Sequence, residues 1–136
     1  MSVASNGVPA RWPSLPLDVT GIDFRGLTLS ERILSAKAGR RVTAGMVVVV
    51  PVDQVMMVDS IAPSALRTLE QELGGHIRHP ERVSVVIDHV APASSVEVAT
   101  TQKRVREAAR LHGLRLFDVG RGICHQVLME EGLARP

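Results

Sequence analysis

Asp88 and His89 are adjacent in the sequence, and a carboxylate next to an imidazole is a combination suited to acid–base chemistry. The pair directly follows the mostly apolar segment Val-Ser-Val-Val-Ile at residues 83–87 and is followed by Val-Ala-Pro at residues 90–92. A carboxylate beside an imidazole can fix the imidazole tautomer and stabilise its protonated form near neutral pH. The pair therefore predicts a proton donor or acceptor at a strand end. Because neighbours in sequence need not face each other, a turn Asp beside a solvated His stays open as the alternative.

The glycine-rich segment Gly-Arg-Gly-Ile-Cys-His-Gln at residues 120–126 is a second candidate. Its two glycines permit a positive φ or a close backbone approach, and His125 and Gln126 offer polar side chains just after them. The spacing fits neither a dinucleotide-binding fingerprint, which needs a third glycine, nor a phosphate-binding P-loop. Two interpretations remain, a polar binding loop and a tight turn with incidental polar residues.

Cys124 stands beside His125, which raises the hypothesis of an activated nucleophile. In an extended stretch adjacent side chains point to opposite sides, so His125 would be poorly placed to activate the thiol. A buried, inert thiol is the better interpretation. A zinc site would need three or four converging ligands, which His89, His125 and an Asp supply only if their loops meet.

Apolar segments of strand character alternate with helical segments through the chain. The hydroxyl residue Thr28 lies three positions before Glu31, a capping-box arrangement, and Gly39 is a suitable helix end. Continuous apolar, β-branched runs predict strands that are buried on both faces. The predicted helices are 29–38, 60–73 and 94–112, the last from a second capping box at Ser94–Glu97, and the predicted strands are 46–52, 83–87 and 114–117.

This alternation predicts an α/β fold with three layers, a mainly parallel sheet flanked by helices. In such sheets ligands bind outside the carboxyl ends of the strands. The polar residues that follow the predicted strands are Asp53 and Asp59, then Asp88 and His89, then residues 118–125.

Composition narrows the functional classes. The single cysteine excludes an internal disulfide and any site that needs two or more thiolates from this chain alone. A net charge of only +2 and 2% aromatic residues argue against nucleic-acid binding. The longest apolar run, residues 46–50, is too short to span a bilayer, and no secretory signal is recognisable, so we expect a cytoplasmic protein.

Residues 1–26, rich in Pro and Gly, are interpreted as a flexible N-terminal arm before an α/β segment at 27–136.

Four ordered segments of residues 27–136 resemble the N-terminal region of the aconitase superfamily, closest to the large subunits of 3-isopropylmalate dehydratase and homoaconitase. They are TLSERIL at 28–34, MMVDSIAP at 56–63, VIDH at 86–89 and DVGRGICHQVL at 118–128. The resemblance implies the N-terminal part of an aconitase-type domain. It also implies a hydro-lyase that isomerises a hydroxy-acid such as isopropylmalate by dehydration and rehydration, as in leucine biosynthesis. In the complete enzyme a 4Fe-4S cluster with one open iron would act as Lewis acid.

Motif matching carries the family's functional residues onto this sequence. Asp88 and His89 correspond to the Asp–His pair that assists departure of the hydroxyl as water, and His125 to the histidine of the Gly-x-x-His-Gln motif. The same matching assigns substrate binding to Asp59, Ser60 and Gln126.

The sequence also departs from the family pattern. Val58 stands where the family normally has Gln or His, and Ile61 where it has Thr, so ordinary substrate binding at these two positions is in question. The next motif, Asp-Ser-His-Thr, is expected just beyond Pro136. The three cluster cysteines and the catalytic serine base are absent from these 136 residues, and Cys124 does not occupy a cluster-ligand position.

We therefore expect an N-terminal piece of a large subunit that alone is inactive and holds no cluster and no metal. Its expected partners are the remainder of the large subunit or a second chain with the cluster cysteines, a small swivelling-domain subunit, and a hydroxy-acid, but neither nucleic acid nor membrane. One alternative is a non-catalytic α/β module that binds a ligand or pairs with another subunit. Another is a different hydro-lyase with its own metal at His89 and His125.

Overall fold

The structure is a computed structural model that describes residues 18–133. The chain divides into two compact units, Met1–Pro51 and Val52–Pro136, and each is described by itself. Residues 1–17, most of the predicted N-terminal arm, lie outside the described residues.

The first unit contains helix α1, Leu29–Ala38, and its predicted caps are confirmed. The Thr28 hydroxyl accepts the Glu31 N–H, and the Glu31 carboxylate accepts the Thr28 N–H at 2.8 Å. Gly39 ends the helix with φ 65°. Beyond it, the buried Ser35 hydroxyl accepts the N–H of the buried Val42 at 2.8 Å, which fixes the returning chain against α1.

The prediction of a strand at residues 46–52 is wrong. These residues pair with no strand among the described residues, and Val47 and Val49 are 92% and 95% exposed. The first strand, β1, is Val55–Val58. A β-branched run forms a ladder only beside a partner, and Pro51 removes one of the N–H donors that a central strand needs. Asp53 therefore precedes the first strand instead of following it.

The second unit is built on a parallel sheet of three strands in the order β1-β2-β3, as predicted for an α/β fold. Strand β2 is Val83–Val86, after a short 3₁₀ turn at Pro80–Arg82, and β3 is Arg115–Phe117. Val58, Val86 and Phe117 are paired across the sheet, so all three strands end at the same edge.

Helices cover both faces of this sheet. Helices α2, Ala62–Glu72, and α3, Val96–Leu111, pack on one face, and helix α4, Cys124–Glu130, packs on the other. Successive strand residues alternate between faces, which gives each face its own cluster. The first cluster includes Leu66, Val83, Val85, Val105, Ala109 and Leu114, and the second consists of Val58, Val86, Phe117, Cys124 and Val127.

Two local predictions need correction. Helix α3 is capped by Ser95, whose hydroxyl accepts the Val98 N–H at 3.2 Å, and not by Ser94. The sequence predicts an extended loop at the residues that begin helix α4, and this prediction is wrong. Cys124 and His125 are in fact the first residues of a helix, so their side chains diverge by about 100° instead of pointing to opposite sides.

None of the helices within residues 18–133 combines the length and the apolar character needed to cross a membrane.

Candidate active site at the carboxyl edge of the sheet

Asp88 and His89 face each other just beyond the end of β2. The Nδ1 atom of His89 lies 2.7 Å from Oδ1 of Asp88. The Asp88 side chain is 6% exposed, whereas the His89 side chain is 49% exposed. A buried carboxylate thus holds the Nδ1 edge of an imidazole that is half exposed.

The surroundings of the pair favour the ionised form of each residue, a negative Asp88 and a positive His89. Burial opposes ionisation of Asp88, but hydrogen bonds from His89 and from the Cys124 N–H outweigh it, and the pKa of Asp88 is lowered. The hydrogen bond to Asp88 raises the pKa of His89 against the effect of burial, and the charges of Asp88 and Asp59 add to this. The imidazole consequently keeps its proton to a higher pH than a free histidine does.

Helix α4 supplies the second support of Asp88. The N–H of Cys124, one of the donors that a helix start leaves without an intrahelical partner, donates to Oδ2 of Asp88 at 2.7 Å. Gly122 makes the turn into α4 with φ 120°, and a side chain there would meet Val127 Cγ2 at 2.9 Å. Of the two possibilities predicted for this glycine, a positive φ or a close backbone approach, the positive φ is confirmed.

Cys124 itself is buried, as expected. Burial raises the pKa of its thiol, and so do the hydrogen bond and charge of Asp88. Because a nucleophilic cysteine needs the thiolate form, this environment opposes such a role.

Asp59 follows β1 and lies 5% exposed beside the Asp88–His89 turn. Its Oδ1 accepts the His89 N–H and its Oδ2 the Val90 N–H, both at 3.1 Å. The Asp59 N–H continues the strand pairing by donating to the Val86 carbonyl at 3.0 Å. Both carboxylate oxygens are thus engaged by the main chain.

The other residues assigned by motif lie outside this network. Ser60, His125 and Gln126 are exposed. Gln126 Nε2 donates to Glu130 Oε1 at 2.9 Å, along the helix, and the His125 ring makes no hydrogen bond with another side chain or backbone group within residues 18–133.

Two polar side chains of α3 were missed in the sequence: Gln102, which joins the Asp59 network, and Arg106, which lies outside it. Gln102 is 4% exposed, and its Nε2 donates to the Val90 carbonyl at 2.8 Å. Arg106 donates twice to Asp118, each time at 2.7 Å, and so ties α3 to the end of β3. A signal existed for Gln102, because it shares the helical face of the apolar Val105 and Ala109 and is polar at a core position.

Asp88, His89 and Cys124 are the three donors that come closest to a metal site among the described residues. Their ligand atoms lie within 4.8 Å of one another. Imidazole, thiolate and carboxylate suit zinc, but a metal would have to displace the thiol proton and the bond between His89 and Asp88. His125 is not one of the three, so the hypothesis of a His89–His125 metal site gains no support from this grouping.

Residues 31–136 match the Aconitase family (aconitate hydratase). The chain belongs to the aconitase family. The resemblance found in the four sequence segments is therefore confirmed, and so is the α/β class of the fold.

Relatives of this aconitase-family chain are large subunits. The homoaconitase large subunit of Thermus thermophilus is 64% identical over 111 residues, which are 82% of this chain and 26% of that protein. The 3-isopropylmalate dehydratase large subunit 1 of Deinococcus radiodurans is 60% identical over 112 residues, again 82% of this chain and 26% of that protein. The corresponding subunit of Herpetosiphon aurantiacus is 52% identical over 114 residues, 82% of this chain and 27% of that protein. The chain thus spans about a quarter of the length of these relatives.

The residues of this aconitase-family chain do not fit a cluster of the type that the resemblance implies. Three thiolates are needed when one iron stays open, and the sequence contains only Cys124. That thiol is buried beside a carboxylate, which disfavours its ligating form.

The departures from the family pattern have a structural counterpart. Val58 is buried among Val86 and Phe117 in the core of the α4 face. Ile61 is exposed and occupies the N-cap of α2 without a side-chain hydrogen bond. Neither side chain offers a polar group to a substrate.

Proposed function

We propose that this chain supplies the acid–base pair of a hydro-lyase that isomerises a hydroxy-acid such as isopropylmalate by dehydration and rehydration. The observation that carries the proposal is the 2.7 Å contact between the buried Asp88 and the half-exposed His89 at the carboxyl edge of a parallel sheet. Family membership supports it, as do relatives whose names are homoaconitase and 3-isopropylmalate dehydratase large subunit.

The proposed step is proton delivery by His89. Hydroxide is a poor leaving group, so the C–O bond breaks more readily when the departing oxygen takes a proton and leaves as water. The raised pKa of His89 keeps that proton available near neutral pH. Asp88 holds Nδ1 and leaves Nε2 to transfer its proton, and the Asp88 charge stabilises the imidazolium. In rehydration the neutral ring accepts a proton from the incoming water.

The remaining machinery is proposed to lie outside these 136 residues. It comprises the thiolates for the 4Fe-4S cluster, the serine base that removes the C–H proton, and a small swivelling-domain subunit. His125, Ser60 and Gln126 stay proposals for contacts at the reacting oxygen or the substrate, on motif matching alone. We propose accordingly that the chain by itself is inactive, and that its place of action is the cytoplasm.

A chimera tests this function. Residues 27–136 replace the matching segment of the Deinococcus radiodurans 3-isopropylmalate dehydratase large subunit 1, which is combined with its small subunit. We expect the chimera to convert isopropylmalate, and His89→Ala in the chimera to lower kcat by about 10²- to 10⁴-fold.

The matched control is His79→Ala. His79 also pairs with a carboxylate, Glu81 at 3.2 Å, but precedes β2 and so lies toward the other end of that strand. This variant should retain the activity of the chimera. A folded chimera without turnover, or a fully active His89→Ala variant, would contradict the proposal.

A further inference from the structure

We propose that Asp59 and Gln102 are positioning residues that hold the main chain under His89, and that Asp59 does not bind substrate. The proposal rests on the function proposed above for His89. It replaces the substrate-binding role that motif matching gives to Asp59.

The Asp59 carboxylate is bonded through both of its oxygens. Its two oxygens accept the N–H groups of the consecutive residues His89 and Val90, each at 3.1 Å. A buried carboxylate with both oxygens bonded in this way has little left to offer a ligand. Two bonds to one carboxylate also fix the two peptide groups on either side of the His89 Cα atom, and thus the direction in which the His89 side chain leaves the backbone.

The sheet itself places Asp59 beside the His89 turn. Asp59 directly follows Val58, which pairs with Val86, and the Asp59 N–H extends that pairing to the Val86 carbonyl at 3.0 Å. The parallel register therefore places the Asp59 carboxylate beside the turn that follows β2, and no ligand is needed for this placement. Asp59 is fixed by strand pairing through its backbone N–H and by the His89 and Val90 N–H groups through its carboxylate. It is therefore suited to restrict the position of His89.

Gln102 closes the network from α3. Its Nε2 donates to the Val90 carbonyl at 2.8 Å and to Oδ2 of Asp59 at 3.4 Å. The N–H and the C=O of Val90 are consequently both held, by residues of two different elements. Such a buried and satisfied network has a defined geometry, because each displaced member would leave another polar group without a partner.

The test combines two variants of the full 136-residue chain. Asp59→Asn keeps the size but turns an NH₂ group toward an N–H donor, so one of the two bonds is lost. Gln102→Met removes the amide and leaves the Asp59 charge in place, which separates geometry from charge. Asp118→Asn is the control, since Asp118 also follows a strand but contacts Arg106 and not the His89 turn.

We expect amide exchange at His89 and Val90 to accelerate at least about tenfold in Asp59→Asn and by a smaller factor in Gln102→Met. In both variants the ¹⁵N shift of His89 Nδ1 should move toward that of an unbonded ring. Unchanged exchange and an unchanged Nδ1 shift in a folded Asp59→Asn variant would overturn the proposal. If that variant does not fold, the Gln102→Met result decides in the same way.

A kinetic arm in the chimera distinguishes positioning from substrate contact. Asp59→Asn should lower kcat by about 10- to 100-fold and leave KM within about twofold. A raised KM with unchanged kcat would instead restore the substrate-binding role. An inactive wild-type chimera would refute the proposed function, whereas the exchange and ring measurements on the full chain would still decide the positioning role.

Discussion

Asp88 and His89 stabilise each other's charged forms, which makes the contribution of the pair to stability depend on pH. The pKa of Asp88 is lower in the folded state, so its contribution is present above the unfolded value of about 3.9 and is lost as pH falls through the folded pKa. The pKa of His89 is raised, so its contribution is complete below about 6.5 and is lost as pH rises through the folded pKa.

The melting temperature of His89→Ala, compared with that of the parent chain, measures this window. The deficit of the variant should be largest between about pH 4 and 6 and should shrink on both sides. His76→Ala is the control, because this exposed histidine bonds to no other group within residues 18–133, and its deficit should not vary in this way. A deficit for His89→Ala that grows steadily above pH 7 would contradict the prediction.

The sequence predicts the acid–base pair but not its supports. Asp88 and His89 are neighbours after an apolar run, so their place at a strand end follows from local pattern. The bonds from Cys124 to Asp88 and from His89 to Asp59 join residues 36 and 30 positions apart. They depend on strand register and on the start of α4, and neither is encoded in a local periodicity.

At the scale of elements, the boundaries of helix α1 follow from capping chemistry, whereas the first strand does not follow from hydropathy. The ends of α1 are capped by Thr28, Glu31 and Gly39. Each of these caps acts within a few residues along the chain, so a short stretch of sequence is enough to predict it. Residues 46–50 and 55–58 are both apolar, and only pairing with β2 distinguishes them. Strand identity is decided by a partner elsewhere in the chain, which a single segment does not reveal.

The exposure of the 46–50 segment predicts tolerance to polar substitution. Val47 and Val49 lose almost no contact when replaced, so Val47→Ser with Val49→Ser should change the free energy of unfolding by at most about 0.5 kcal/mol. Val85→Ser, at a fully buried strand position, should cost about 2–4 kcal/mol. Urea denaturation measures both. A comparable loss in the double variant would show that the segment is packed.

Gly122 predicts a larger sensitivity at the entry to α4. Ala at this position meets an unfavourable φ of 120° and Val127 Cγ2 at 2.9 Å, and we expect a loss of about 2–3 kcal/mol. Gly120→Ala is matched, because φ is also positive but the space is open, and it should cost about 1 kcal/mol. Equal losses in urea denaturation would refute the steric argument. The Gly122→Ala variant should also loosen the Cys124–Asp88 bond, visible as faster exchange of the Cys124 amide.

At the scale of the whole chain, the two leading interpretations differ in how the chain behaves by itself. A piece of a larger subunit leaves apolar side chains without their cover, and several are indeed exposed, among them Leu29, Leu73, Val96, Leu111 and Ile123. We therefore expect concentration-dependent self-association in light scattering. A discrete monomer over a wide concentration range would favour the alternative of a self-contained binding or pairing module.

The cysteine content gives the sharpest prediction for the whole molecule. A 4Fe-4S cluster with one open iron needs three protein thiolates, and this chain has one, buried beside Asp88. Anaerobic reconstitution of the purified chain with iron and sulfide should therefore yield far less than one cluster per chain, by iron analysis and by visible absorption. The same treatment of the chimera provides the positive control, since its remaining segment comes from a full-length large subunit.

A stoichiometric cluster on the 136-residue chain that persists in Cys124→Ser would show ligands other than thiolate. A stoichiometric cluster that is lost in this variant would show thiolates shared between copies, and either result would refute the proposal that the chain depends on other polypeptide for its cluster.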